Sequence, residues 1–269
     1  MILIDGRKAR EHYLPILKEK ISNLNTVPCL VIIQVGNRAD SDAFIKAKKS
    51  FASKIGAKEI HVQFANDVKQ EEVIASIQKY NMDSSVHGII VQLPLPEHLN
   101  ADIVIENIDP SKDVDGLTSN TKFTPATARG ISQLLSYYQI PLKDKKVVVM
   151  GRSKLVGKPI ADMCTEEGAI VTVCHSKTEN TADIAKASDI LIVAIGKPKF
   201  VDENYVNDKS VVIDVGITRH LEEGLVGDVN FEKVKDIVSM ITPVPGGVGQ
   251  MTVLALFENL VDSCYNVSK

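Results

Sequence analysis

A lysine set among apolar residues can move protons near neutral pH, and residues 41–55 hold one. At about 100° per helical residue, Phe44, Ala47, Phe51 and Ile55 fall on one stripe, with Lys48 inside it and roughly 40° from Phe44. Lys46 and Lys49 point elsewhere. Lys48 either snorkels to water or sits desolvated with a lowered pKa, and only the second state makes it a useful base. In Val91-Gln92-Leu93-Pro94-Leu95-Pro96 an amide stands at the end of an apolar run that two prolines stop. Ligands gather at the C-terminal ends of parallel strands, where Gln92 can orient a water or the edge of a heterocycle; alternatively it satisfies loose backbone groups. Asp113-Val114-Asp115-Gly116 offers two acids one residue apart, either for an N–H-rich ligand edge or for an Asx turn.

A second set of residues suits phosphate. Gly151-Arg152-Ser153-Lys154-Leu155-Val156-Gly157 follows the apolar run 147–150 and leads into a helical pattern. It reads as strand, glycine turn and helix N-terminus, the place where unpaired N–H groups meet a dinucleotide pyrophosphate. The spacing is G-x-S-x-x-x-G rather than G-x-G-x-x-G. Further on, Cys174-His175-Ser176-Lys177-Thr178 ends the next strand pattern and contains no acid to bond a ribose 2′-hydroxyl. A hydroxyl and a lysine stand there instead, with Arg152 in the turn, so a 2′-phosphate is favoured and NADP is the expected cofactor.

Short Val- and Ile-rich runs alternate with longer helical patterns, which predicts an α/β fold with mostly parallel sheets. The expected strands are 29–34, 59–64, 88–92, 146–150, 170–174, 190–195, 211–215 and 238–241. The expected helices are 6–24, 41–55, 69–80, 125–136, 156–167, 181–187 and 250–263. With 145 residues ahead of the strand that feeds the glycine turn, there is room for a separate substrate domain. The polar, turn-rich stretch 108–124 marks the crossing. Residues 1–124 are therefore assigned to an N-terminal α/β domain, joined by a terminal helix at 249–269 that folds back, and 125–248 to a Rossmann-like NAD(P)-binding domain.

The bulk numbers exclude several classes. Net charge is −3 with basic residues spread along the chain, so no nucleic-acid surface is expected. No apolar run approaches the roughly 20 residues needed to span a bilayer, and Met1-Ile2-Leu3-Ile4-Asp5 lacks a signal layout, so a cytoplasmic protein is expected. The four cysteines form no C-x-x-C pair and the six histidines are scattered, so neither a disulfide framework nor a metal site is expected.

Taken together, 91–96, 113–116, 151–159, 174–178, 211–217 and 242–249 resemble the methylenetetrahydrofolate dehydrogenase/cyclohydrolase family. The resemblance implies two domains with a cleft between them and two reactions there. One is NADP-dependent oxidation of 5,10-methylenetetrahydrofolate to the 5,10-methenyl form, and the other is hydrolysis of that product to 10-formyltetrahydrofolate. It implies Lys48 as the key group for hydrolysis, Gln92 acting with it, and Asp115 holding the pterin. Phe44, Pro245, Gly246 and Gly247 would contact the folate. Gly151, Arg152 and Ser153 would form the pyrophosphate turn, Ser176 the 2′-phosphate contact, and Ile217 a neighbour of the nicotinamide. A homodimer through the nucleotide domain is also implied.

The chain departs from the family pattern in places. Phe44 stands where most members carry tyrosine, which keeps a ring face but loses a hydroxyl. The segment after Asp115 is several residues shorter than usual and leads into Pro125-Ala126-Thr127-Ala128 in place of Pro-Cys-Thr-Pro. Gln250 replaces a proline. Two other expectations therefore stand beside the bifunctional one: a dehydrogenase without the hydrolase, and a silent folate- or nucleotide-binding regulator.

Overall fold

The computed structural model describes residues 1–220 and 222–266. The chain opens with β1 (Ile2–Leu3) and α1 (Gly6–Ser22), then runs β2 (Cys29–Val35), α2 (Ala39–Ile55), β3 (Lys58–Phe64), α3 (Gln70–Met82), β4 (Gly88–Val91) and α4 (Ala101–Glu106). It continues through α5 (Ala126–Tyr137), β5 (Lys146–Met150), α6 (Gly157–Glu166), β6 (Ile170–Cys174), α7 (Thr181–Lys186), β7 (Ile190–Val193) and β8 (Val211–Asp214). The last elements are β9 (Thr218–His220), β10 (Gly224–Val226), α8 (Phe231–Val234), β11 (Met240–Ile241) and α9 (Val248–Asn266).

These elements fall into two compact units, one of Met1–Glu11 with Thr127–Thr252, the other of His12–Ala126 with the chain from Val253. The second, hereafter the lysine unit, has a parallel three-stranded sheet in the order β3-β2-β4. All of β2 is buried, as its unbroken apolar run Cys29-Leu30-Val31-Ile32-Ile33 requires of a strand paired on both edges and covered on both faces. Helix α2 packs on β3 and α3 on β4. Helix α9 is apolar around most of its circumference, and its segment 253–261 is buried throughout. Phe257 lies 5.3 Å from the ring of Phe51, and a Cβ on Gly88 would come within 2.7 Å of Leu260 Cδ1.

The other unit, hereafter the glycine-turn unit, carries a parallel six-stranded sheet in the order β1-β11-β8-β7-β5-β6. The path from β5 goes outward to β6 and then returns to β7 on the other side, so the topological switch point lies between β5 and β7. Val148, Met150, Leu191, Val193, Val212 and Ile241 are among the buried residues that pack together in this unit. The antiparallel β9–β10 hairpin forms a small separate sheet.

Several expectations need correction. Residues 1–11 do not belong with 12–124: Ile2 and Leu3 pair with Met240 and Ile241, and the Gly6 N–H donates to Gly246 O at 2.9 Å. A two-residue strand has no periodicity to read, and its partners lie at the far end of the chain. The elements α4, β9, β10 and α8 are likewise too short to show a period. The apolar face of α2 is also redrawn, since Ala47 is exposed while Ile45, Phe51, Ala52 and Ile55 are buried. Among the described residues no helix is long and apolar enough to cross a membrane.

Candidate active site

Helix α2 ends at Gly56, whose φ of 78° is the left-handed conformation that closes a helix, and it presents Lys48 one turn from Phe44, Ile45, Phe51 and Ala52. Lys48 is partly buried, and Nζ donates to Gln92 Oε1 at 2.8 Å. Gln92, just beyond the end of β4, uses its Nε2 to donate to Leu93 O at 2.8 Å, which leaves Oε1 turned to the lysine. Burial lowers the Lys48 pKa, while the negative charge of Asp115 works against that shift. Burial likewise raises Asp115, with Lys48 pulling it down and Asp113 pushing it further up. Thus Lys48, Gln92 and Asp115, from three distant stretches of chain, form one cluster.

The two acids of the Asp-Val-Asp-Gly stretch divide the work between them. Asp113, fully buried, accepts from Gly116 N at 3.0 Å and from the Thr118 N–H and hydroxyl at 2.8 Å each. It is the turn former, and so leaves Asp115 as the acid that faces the lysine. The turn is also held from α9, where Asn259 Nδ2 donates to Val114 O at 2.8 Å and to Thr124 O at 3.0 Å. Asn259 was missed because an amide in an apolar helix carries no positional signal until its carbonyl partners are known. Gln34 was missed as well: it sits inside the apolar run of β2, donates to Asp42 Oδ1 at 2.7 Å and meets His61 Nε2 at 2.8 Å, anchoring the start of α2. Lys112 shows the contrasting, structural use of a buried lysine, since its ammonium donates to the carbonyls of Tyr80, Asn81 and Asp83.

In the glycine-turn unit, β5 runs into a turn at the switch point. Gly151 has φ 118°, and a Cβ there would lie 2.1 Å from Ala194 O. A Cβ on Gly157 would lie 2.3 Å from Gly151 O, so the turn and the start of α6 touch only because both are glycine. Ser153 Oγ accepts from the N–H groups of Val156 and Gly157 at 3.3 and 3.2 Å and closes the helix N-terminus. Arg152, Ser176 and Lys177 are exposed beyond the ends of β5 and β6. Ile217, which follows β8, is 37% exposed. Exposed Pro245 and buried Gly246 and Gly247 form a loop docked on the start of α1, where a Cβ on Gly6 would lie 2.0 Å from Gly247 O. These three residues belong to the glycine-turn unit, and Phe44, half-buried on α2, to the lysine unit. Among the described residues no group of His, Cys, Asp and Glu is placed to hold a metal ion.

A parallel sheet with a glycine turn at its switch point, in a chain that also carries a second α/β unit with a desolvated lysine, defines the class: a two-unit nucleotide-binding α/β enzyme. Residues 4–115 match the tetrahydrofolate dehydrogenase/cyclohydrolase catalytic domain, and residues 125–267 match the NAD(P)-binding domain of the same family. The chain belongs to this tetrahydrofolate dehydrogenase/cyclohydrolase family. It is 45% identical to a protein of Agathobacter rectalis named bifunctional protein FolD, with 97% of this chain and 98% of that one covered. Among solved structures, the bifunctional FolD methylenetetrahydrofolate dehydrogenase/cyclohydrolase of Campylobacter jejuni superposes with a TM-score of 0.94 at 39% identity, covering 99% of each chain. The Trypanosoma brucei methylenetetrahydrofolate dehydrogenase-cyclohydrolase, solved with NADP and an inhibitor, gives 0.93 at 32% identity over 100% of this chain and 99% of that one.

Proposed function

We propose that this protein oxidises 5,10-methylenetetrahydrofolate to 5,10-methenyltetrahydrofolate with NADP+ and hydrolyses the product to 10-formyltetrahydrofolate. The observation that carries the reading is the Lys48–Gln92 hydrogen bond of 2.8 Å beside Asp115, in a chain that also carries the switch-point turn.

The residues fit a dinucleotide: Gly151 and Gly157 leave the close backbone approach that a Cβ at either position would fill. Gly151, Arg152 and Ser153 would hold the pyrophosphate, Ser176 with Arg152 the 2′-phosphate, and Ile217 would line the nicotinamide end. When bound, NADP+ supplies the hydride acceptor. The chain's own part in that step is positioning, because the folate nitrogens themselves stabilise the cation left on the one-carbon unit.

Hydrolysis needs proton handling. Lys48, with its pKa lowered by burial, takes a proton from the water that attacks the methenyl carbon and gives it to the departing nitrogen as the carbon–nitrogen bond opens, while the hydroxyl of the adduct releases its proton to solvent as the formyl C=O forms. Gln92 aims the lysine and orients the water through its amide. Asp115 accepts N–H groups of the pterin, and its charge limits how far the Lys48 pKa falls. Phe44 offers a ring face to the folate, with Pro245, Gly246 and Gly247 as further substrate contacts. The lysine–amide pair is formed without a hydroxyl at position 44.

The test is a paired assay on purified protein, following NADPH formation from methylenetetrahydrofolate and the decay of methenyltetrahydrofolate. Both rates should exceed the uncatalysed ones; failure of the first removes the dehydrogenase and failure of the second the cyclohydrolase. If folate and NADP+ bind without turnover, the protein is the silent regulator.

The protein is further proposed to work in the cytoplasm as a homodimer that joins edge to edge through β6. This strand ends the six-stranded sheet with Ile170 61% and Val173 38% exposed, an apolar edge of the kind that invites pairing. Light scattering should give a dimer mass for the wild type and a monomer for Ile170→Lys.

A further inference from the structure

Two buried acids of the glycine-turn unit have no part in the chemistry above. Asp214, at the end of β8, accepts through Oδ1 from Gly216 N and Asp228 N at 3.0 Å each, and through Oδ2 from Val229 N at 2.9 Å. Its own N–H donates to Thr242 Oγ1 at 2.8 Å. Asp228 is fully buried, and its Oδ2 accepts from Ile195 N at 2.7 Å and Gly196 N at 2.8 Å. Its Oδ1 has no hydrogen-bond partner among the described residues. The backbone makes room for both carboxylates. A Cβ on Gly227 would lie 1.9 Å from Asp214 Oδ2, and one on Gly216 would lie 2.3 Å from Asp228 Cγ. Burial raises both acids, Asp214 to about 7. A pair of buried carboxylates is a costly way to brace a loop, so the loop it braces must matter.

That loop is the turn after β7. It stands at the switch point next to the glycine turn, and Gly151 and Ala194 O are in backbone contact there. Gly196 has φ 67°, and a Cβ on it would meet nothing within 4 Å, so its outer side is open. The neighbouring turn, Val215-Gly216-Ile217, follows β8 and is held by Asp214 through the Gly216 N–H. The carboxylates thus tie together the turns of two adjacent strands, on the side of the sheet where a dinucleotide binds.

We propose that Asp228 is a positioning residue for the dinucleotide: by holding the N–H groups of Ile195 and Gly196 it keeps the turn after β7 in the shape that walls the nucleotide site, and Asp214 holds Asp228 in place. The proposal rests on the reading of this unit as the NADP+ site. Asp228→Asn keeps the volume but puts amide hydrogens against the buried Gly216 backbone or removes the carbonyl from its two donors. Calorimetric titration should give a Kd for NADP+ raised at least about tenfold, with the KM for NADP+ rising alongside and kcat changing less. The rate and KM of methenyltetrahydrofolate hydrolysis, which needs no dinucleotide, should stay at the wild-type values. An unchanged Kd overturns the proposal, and so does a parallel loss of hydrolysis, which would mark a structural role only. Should Asp228→Asn fail to fold, Asp214→Asn measured in the same way decides by the same outcomes. A wild type that hydrolyses methenyltetrahydrofolate but binds no NADP+ would instead overturn the assignment of the nucleotide site.

Discussion

The lysine unit and the glycine-turn unit build their sites from different materials. In the first, the working groups are side chains that touch one another, Lys48 on Gln92 with Asp115 acting on the lysine's charge, and burial sets their proton affinities. In the second, the candidate nucleotide site is mostly backbone: the turns at Gly151, Gly157 and Gly196, with Ser153 at a helix start and exposed Arg152 and Lys177. The buried acids of that unit, Asp214 and Asp228, hold the turns through backbone N–H groups. Proton transfer needs a desolvated, tuned group, whereas phosphates stay partly hydrated and are well met by N–H groups and mobile cations. The difference teaches where each reaction is vulnerable.

The sharpest break is Lys48→Met, which should cut hydrolysis by about 10² to 10⁴-fold while NADPH formation persists, as single-turnover assays of each reaction can show. Equal loss of both would erase the distinction between the units. The next effect is on stability. The Asp214 carboxyl titrates at about 7 in the folded protein against 3.8 for the ordinary group, so the native state binds the extra proton. The cost of ionising it is absent below about pH 4, grows as pH rises, and is complete above about pH 7, amounting to about 4 kcal/mol at most. Thermal melts across this range should show wild-type stability falling toward neutral pH relative to Asp214→Asn, and parallel curves would contradict the assignment.

Arg152→Ala should raise the KM for NADP+ about tenfold and narrow its advantage over NAD+, with hydrolysis unaltered. A chain that prefers NAD+ from the outset would remove the 2′-phosphate role from Arg152 and Ser176. Asp115→Asn takes away the charge that holds Lys48 protonated, so the Lys48 pKa falls further and the acidic limb of the hydrolysis profile moves to lower pH. A shift to higher pH would mean that Asp115 does not act on Lys48. The smallest change is Phe44→Tyr, expected to alter hydrolysis by no more than about threefold, comparable to one exposed hydrogen bond. A much larger gain would show that the missing hydroxyl limits this enzyme.

Much of this was legible because local patterns carry it. The strand 29–34 was readable from an unbroken apolar run and emerges as β2, buried along its whole length, and the turn at Gly151 from a glycine between a strand and a helix. Lys48 drew notice as a charge on an apolar face, although the face itself was misdrawn at Ala47, since periodicity says which residues share a side and not which side is covered. The Asp113–Asp115 pair offered two readings, and the turn reading holds for Asp113, whose carboxylate accepts from Gly116 and Thr118, while Asp115 is left to act on the charge of the lysine. Asn259, Gln34, Asp214 and Asp228 left no trace in spacing. Each acts through backbone or side-chain partners far away in the chain.

The sequence by itself determined the α/β class, the parallel sheets, the glycine turn and the identity of the groups able to carry charge, because side-chain volume, polarity and backbone freedom act locally. Only the tertiary structure decided that residues 1–11 complete the six-stranded sheet, that Lys48 meets Gln92 across 44 residues of chain, and that Asp113 forms the turn while Asp115 is coupled to Lys48. Desolvation tunes those groups, and it depends on what packs around them: Lys48 loses water beside an amide and an acid and its pKa falls, while the Lys112 ammonium is held among three carbonyls as a brace.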